Sequence, residues 1–278
     1  MGDRPVPRTV LGAPALLLDL DGTLYVSGAA VPGAPETVAA LRRAGIPFRF
    51  VTNTTSRPRA GLVERLRGYG FTAVPEEVLT PVTAAARIAR ARGCTVVAPF
   101  LPAPALADLS DLALVGGTSG RPADRTPQAV FVGDLGEQWT YALMQEAFAY
   151  VLDGALLIAL SRDRYWRRGG VLALDAGPFV AGLEYATSRA AILAGKPSPE
   201  FFRAAVASLP AGSAESGLAM IGDDLWSDVR GAQEAGYRGW LVRTGKFRED
   251  ALHESGIVPD RILESITDLR EAAEGLPA

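Results

Sequence analysis

The sequence predicts an α/β protein, a mostly parallel sheet layered with helices, with a second and smaller α/β unit inserted in it. Three observations carry this prediction. Short apolar runs alternate with segments of helical period along nearly the whole chain. Several of those runs end abruptly in acidic, hydroxyl or glycine residues, as buried strands do where their C-terminal loops begin. In the middle the texture changes, with Pro, Gly and small polar residues crowded into 99–104 and 116–127.

The elements follow in order. Ala15 to Leu18 form an apolar run that reads as a buried strand. Arg4 and Arg8 ahead of it imitate the start of a signal peptide, but Asp19 and Asp21 stand where small cleavage-site residues belong, so the expected location is cytoplasmic. Pro35 suits the first turn of a helix that runs to Ala44, with Val38 and Leu41 on one face and Gly45 as its stop. Ile46 to Val51 read as the next strand, and Leu62, Leu66 and Tyr69 mark a helix closed by Gly70. A helix from about Pro81 to Arg92 leads into the inserted unit.

The domain expectation is a core formed by 1–82 and 188–278 around an insertion at 83–187. Inside the insertion, strands are expected near Thr95–Ala98, Ala129–Val132 and Ala155–Leu160, with a helix marked by Tyr141, Met144, Phe148 and Val151. The alternation then resumes: helix Pro199–Leu209, strand Leu218–Ile221, helix Ser227–Ala235, strand Arg238–Val242 and a last helix near Thr267–Ala273. There is no internal repeat and no low-complexity tract.

Composition narrows the chemistry. Among 278 residues there is one Cys (Cys94) and one His (His253), which excludes an intramolecular disulfide and any site built from several Cys and His ligands. A bound metal has to be a hard, oxygen-seeking ion such as Mg²⁺, held by some of the 31 Asp and Glu. A net charge of -3 offers no long-range attraction to polyanions, so nucleic acid is not an expected partner. No apolar run reaches the roughly 18 to 20 residues that span a bilayer, so no membrane partner is expected either.

Four segments at strand ends carry the chemistry. The first is Asp19-Leu20-Asp21-Gly22-Thr23. Alternation along an extended chain puts Asp19 and Asp21 on one side and Leu20 in the core. Two carboxylates so close repel unless a cation or a shared proton intervenes. The second, Thr52-Asn53-Thr54-Thr55-Ser56, follows the strand Phe48–Val51 and offers hydroxyl, amide and N–H donors to an anion, or caps to a helix.

The third is Gly195-Lys196-Pro197. Lys196 and Lys246 are the only lysines among 28 basic residues, and a lysine is a compact, rotatable point charge where arginine is a broad planar fork. Placed before a helix, Lys196 adds to the dipole of an anion site, or is a solvated loop residue. The fourth, Ile221-Gly222-Asp223-Asp224-Leu225-Trp226-Ser227-Asp228, supplies the oxygen ligands that Mg²⁺ requires, with helix capping by Asp224 or Ser227 as the structural alternative. Val132-Gly133-Asp134 imitates it but has no carboxylate five positions on and lies in the insertion. No phosphate-binding or dinucleotide glycine pattern and no nucleophile-elbow serine is present, and His253, in a polar stretch, reads as a surface residue.

In this order the four segments resemble the haloacid dehalogenase superfamily of phosphohydrolases, over nearly the whole chain. The insertion resembles the large α/β cap of subclass IIA, which includes sugar-phosphate, pyridoxal phosphate and phosphoglycolate phosphatases. Some members of that subclass carry Ser where this chain has Asp21.

The resemblance implies a Rossmann-like doubly wound core, a cap domain and an Mg²⁺-dependent phosphatase of small phosphorylated compounds, phosphoramidates and pyrophosphate included. It gives Asp19 the role of nucleophile, forming an aspartyl-phosphate, and Asp21 that of general acid and base. Mg²⁺ would be held by Asp19, the backbone carbonyl of Asp21 and Asp223. Thr52, Asn53 and Lys196 would bind the phosphoryl group, and Asp224 and Asp228 would orient the metal shell or pair with Lys196. Cap residues, with Arg162-Asp163-Arg164-Tyr165-Trp166 as the candidate segment, would select the leaving group. A homodimer through the cap is expected as in relatives. A silent scaffold of the same fold and a metal-free dehalogenase are the rival readings. The full acidic set disfavours the first, and the second has no use for Asp21 or Asp223.

Overall fold

Leu16–Asp19 is buried throughout, as a central strand in a parallel sheet must be when helices cover both faces. The computed structural model describes residues 9–168, 171–213 and 217–275, with the backbone alone at 166–168. Arg4 and Arg8, which gave the signal-peptide imitation, lie outside the described residues. The chain forms two compact units. One comprises the described residues up to Thr52, Ala60–Leu79 and those from Ala205 onward; the other comprises Asn53–Arg59 and Thr80–Ala204.

The first unit is built on a six-stranded sheet in the order Val78–Leu79, Phe48–Val51, Leu16–Asp19, Ala219–Gly222, Arg238–Val242, Arg261–Leu263. Every pairing is parallel. From Leu16–Asp19 the chain first builds outward on one side, then returns and builds outward on the other. The order therefore reverses between Leu16–Asp19 and Ala219–Gly222, and the crevice at such a reversal, at the carboxyl ends of the strands, is where doubly wound sheets bind ligands. The register pairs Leu16 with Ala219 and Leu18 with Ile221, so both strands run out into their acidic turns side by side.

The helix Ala34–Arg43 forms where Pro35 pre-sets the first turn, and it buries Ala34, Thr37, Val38, Ala40 and Leu41. Arg42 and Arg43 in its last turn answer the dipole. Gly45, at φ 70°, ends it in a left-handed turn. It packs against Leu269–Glu274 over a core that includes Leu18, Leu20, Phe50 and Trp240. This is the parallel α/β layering that the sequence predicts, in the Rossmann-like form that the resemblance implies.

The second unit has its own five-stranded parallel sheet, in the order Ile192–Leu193, Leu156–Ala159, Ala129–Val132, Val96–Phe100, Ala113–Leu114. The helices Tyr141–Leu152 and Gly177–Thr187 bring Ala147, Val151, Val180 and Leu183 onto Phe100, Val130 and Val132. Trp139 stacks between Phe100 and Phe179, with ring centroids 5.8 and 4.8 Å away. A separate hairpin pairs Tyr165–Arg168 with Val171–Leu174.

The structure departs from the sequence reading in a few places. The helix expected from Ser227 begins at Leu225 as a π-helical turn to Arg230 and becomes an α-helix only over Gly231–Glu234. Its start is set by Asp224, whose side chain accepts from the N–H groups of Trp226 and Ser227. The strands Val78–Leu79, Ala113–Leu114 and Ile192–Leu193 span two residues each, too few for any periodicity to register. Among the described residues no helix is long and apolar enough to cross a membrane.

Candidate active site

Asp19 is the last residue of its strand and is almost completely buried, at 6% exposure, as are Asp223 at 3% and Asp228 at 1%. One carboxylate oxygen from each lies within 4.8 Å of the others. The strand register brings Asp19 beside the turn that carries Asp223. Asp228, one turn into the following helix, comes back beneath it: its Oδ2 accepts from the N–H of Asp224 at 3.2 Å. Three buried carboxylates at this spacing repel one another when charged, a repulsion that a bound cation would offset.

Glycines make this packing possible. A Cβ on Gly22 would overlap the Asp223 carboxylate, and one on Gly222 would overlap that of Asp228. Gly22 also has φ 94°, a conformation that favours glycine. The cradle and its all-oxygen donor set fit a hard divalent ion such as Mg²⁺.

Asp21 is exposed, and its carboxylate is not one of the three clustered groups. It sits in a turn closed by the Gly22 N–H donating to the Tyr25 carbonyl at 2.8 Å. Tyr25 is buried against Tyr69, their centroids 5.1 Å apart, so the turn is anchored from below. Leu20 is fully buried, as alternation requires.

Thr52 is buried in the first unit, its N–H donating to the Leu79 carbonyl at 3.2 Å. Asn53 and Lys196 belong to the second unit, and the structure brings them together. Asn53 Oδ1 accepts from the Lys196 N–H at 2.8 Å, and Asn53 Nδ2 donates to the Lys196 carbonyl at 3.0 Å. A Cβ at Gly195 would meet the Leu160 carbonyl and Asn53 Oδ1, so only glycine lets this loop approach so closely. The amide therefore holds the lysine backbone, a role that residue type alone does not reveal.

Asp224 both caps and pairs. Its Oδ1 accepts from Trp226 and Ser227 N–H at 3.0 Å each, and its Oδ2 from Lys246 Nζ at 3.1 Å. Burial works to raise its pKa, but the Ser227 N–H bond and the Lys246 charge outweigh this and hold the carboxyl below the ordinary aspartate value. The sequence left Lys246 without a role. Its position just beyond the strand Arg238–Val242, at the same sheet edge as the acidic turns, was the available signal.

In the second unit, Arg162 pairs with Glu184, and the Asp163 N–H donates to Ser161 Oγ at 2.9 Å. Tyr165 is exposed at the start of the hairpin, and the Trp166 side chain lies outside the described residues. His253 is on the surface, 3.6 Å from Glu249.

A family model described as haloacid dehalogenase-like hydrolase matches residues 16–107, and one described as HAD-hydrolase-like matches residues 193–269. The chain is 44% identical over 234 residues to the rat haloacid dehalogenase-like hydrolase domain-containing protein 2, covering 84% of this chain and 85% of that protein. It is 35% identical over 274 residues to the human phospholysine phosphohistidine inorganic pyrophosphate phosphatase, covering 95% of each. Among solved structures, the magnesium complex of a glycerol phosphate phosphatase from Mycobacterium tuberculosis matches with a TM-score of 0.75 at 27% identity, covering 95% of this chain and 78% of that one.

Proposed function

This chain belongs to the haloacid dehalogenase-like hydrolases, in the subclass with a large α/β cap, and is a phosphatase; on that premise we propose that it hydrolyses small phosphorylated compounds with Mg²⁺ through an aspartyl-phosphate at Asp19. The observation that carries the proposal is the cluster of Asp19, Asp223 and Asp228 at the reversal point of the sheet.

Asp19 attacks phosphorus, forming an O–P bond as the bond to the leaving group breaks. Asp21, exposed and able to reach solvent and substrate, gives a proton to the departing atom, then takes one from the water that hydrolyses the aspartyl-phosphate. Asp19, the Asp21 carbonyl and Asp223 would hold Mg²⁺, with Asp228 completing the carboxylate set. The ion supplies the positive charge that lets a carboxylate approach a phosphate dianion.

Thr52 and Lys196 bind the phosphoryl oxygens, and Asn53 joins them chiefly by fixing the lysine. Asp224 fixes the turn that carries Asp223. The segment 83–187 acts as the cap, and Arg162–Trp166 contacts the leaving group.

Substrates with P–O and P–N bonds both suit this chemistry, because the nucleophile sees the same phosphoryl group and Asp21 can protonate either leaving atom. We place the protein in the cytoplasm. The hairpin leaves Tyr165, Val171, Leu172 and Leu174 from 57% to 70% exposed, which supports a homodimer through this unit and is testable by analytical ultracentrifugation.

The deciding experiment is hydrolysis of an aryl phosphate. Activity is expected with Mg²⁺, not with chelator, and not in Asp19→Asn. Full activity of that variant would remove the nucleophile. A panel of sugar phosphates, pyridoxal phosphate, phosphoglycolate, pyrophosphate and phosphohistidine then ranks the substrates.

A further inference from the structure

The turn Thr244-Gly245-Lys246 takes no part in the proposed chemistry, yet it reaches both acidic turns. Thr244 Oγ1 donates to the Gly22 carbonyl at 2.5 Å. The Lys246 N–H donates to Asp223 Oδ2 at 2.7 Å. Lys246 Nζ donates to Asp224 Oδ2 at 3.1 Å. Between them Gly245 has φ 62°, and a Cβ there would overlap both the Asp223 carboxylate and Gly22. Three consecutive residues beyond one strand thus tie the turn after Leu16–Asp19 to the turn after Ala219–Gly222.

A carboxylate that accepts a fixed N–H has its plane and torsion set, and its other lone pairs are aimed accordingly. The three contacts are not equal. The Lys246 side chain is 71% exposed, so its ion pair with Asp224 is screened and weak. The Lys246 N–H is a backbone group that any residue but proline supplies. Thr244, half-buried, is the side chain whose loss would open the turn. We infer that this turn positions the Asp223 carboxylate for the cation, with Thr244 as the positioning residue that holds it closed; this rests on the reading that Asp223 is a cation ligand.

The test is direct Mn²⁺ binding to the full chain, followed by the loss of the free-ion paramagnetic resonance signal. Thr244→Val keeps the shape and removes the hydroxyl, and should weaken binding roughly ten- to a hundredfold, the range for loss of a group that orients a metal ligand. Thr244→Ser should restore it to near wild type, and Thr244→Val should still bind Mn²⁺ with wild-type stoichiometry, so that affinity falls and not the amount of folded protein. Wild-type affinity in Thr244→Val, alongside weakened binding in Asp223→Asn, would overturn the positioning role and leave the cation reading intact. Wild-type affinity in Asp223→Asn would overturn both. Should Thr244→Val not fold, Thr244→Ala carries the same comparison.

Discussion

Asn53 grips the backbone of Lys196 from both sides, its Oδ1 on the N–H at 2.8 Å and its Nδ2 on the carbonyl at 3.0 Å. The proposed phosphate-binding ammonium is therefore aimed by a residue 143 positions away. Asn53→Ala leaves both backbone groups without this partner, which should cost about 1 to 3 kcal/mol in urea unfolding. It should also raise KM as the lysine loses its setting. An unchanged KM with lowered stability would confine Asn53 to a purely structural part.

Gly222→Ala is the smallest change to the carboxylate cradle. The added methyl overlaps the Asp228 carboxylate, so overpacking should destabilise the protein by about 1 to 3 kcal/mol. Displacing that carboxylate should lower activity as well. Gly68→Ala is the control, since a Cβ there meets nothing within 4 Å and should relieve the helix instead.

Mg²⁺ should raise the thermal midpoint of the wild type. Binding to the folded state alone adds about 2.7 kcal/mol at a hundred times Kd. Asp228→Asn, which keeps the shape but removes one of the three clustered charges, should show a smaller shift in the same titration.

Asp175 gives a pH dependence of stability. Burial, and then the charges of Asp134 and Asp163, push its carboxyl from 3.8 up to about 6, against a hydrogen bond from the Ala176 N–H that works the other way. Between those values the folded state holds a proton that the unfolded state releases, so stability falls as pH rises through this window. Asp175→Asn should therefore be the more stable protein at pH 7 in urea melts, with its advantage gone near pH 4.

Much of this was legible in the chain. The apolar run ending at Asp19, and Gly222-Asp223-Asp224 after another strand, located two turns at one sheet edge, because parallel strands place their acidic ends together. Asp228 was read as orienting the metal shell or pairing with Lys196, and the helix turn places its carboxylate beside those of Asp19 and Asp223. What was hidden depends on backbone atoms and on distant partners. Nothing in Asn53 as a residue type says that its amide faces the Lys196 backbone, and nothing in Thr244 says that its hydroxyl reaches Gly22. The unequal halves of the Leu225–Glu234 helix were hidden for the same reason, since Asp224 decides where it starts.

The pairing of Leu18 with Ile221 joins segments roughly two hundred residues apart in the chain, the kind of contact that forms late. A slip of one residue would move Asp223 by about 3.3 Å relative to Asp19, enough to scatter the cluster. A chain that stops before Ala219–Gly222 has only the first acidic turn, so the carboxylate cluster exists only once the two distant strands have paired. A metal-binding signal during refolding would time the closing of the sheet.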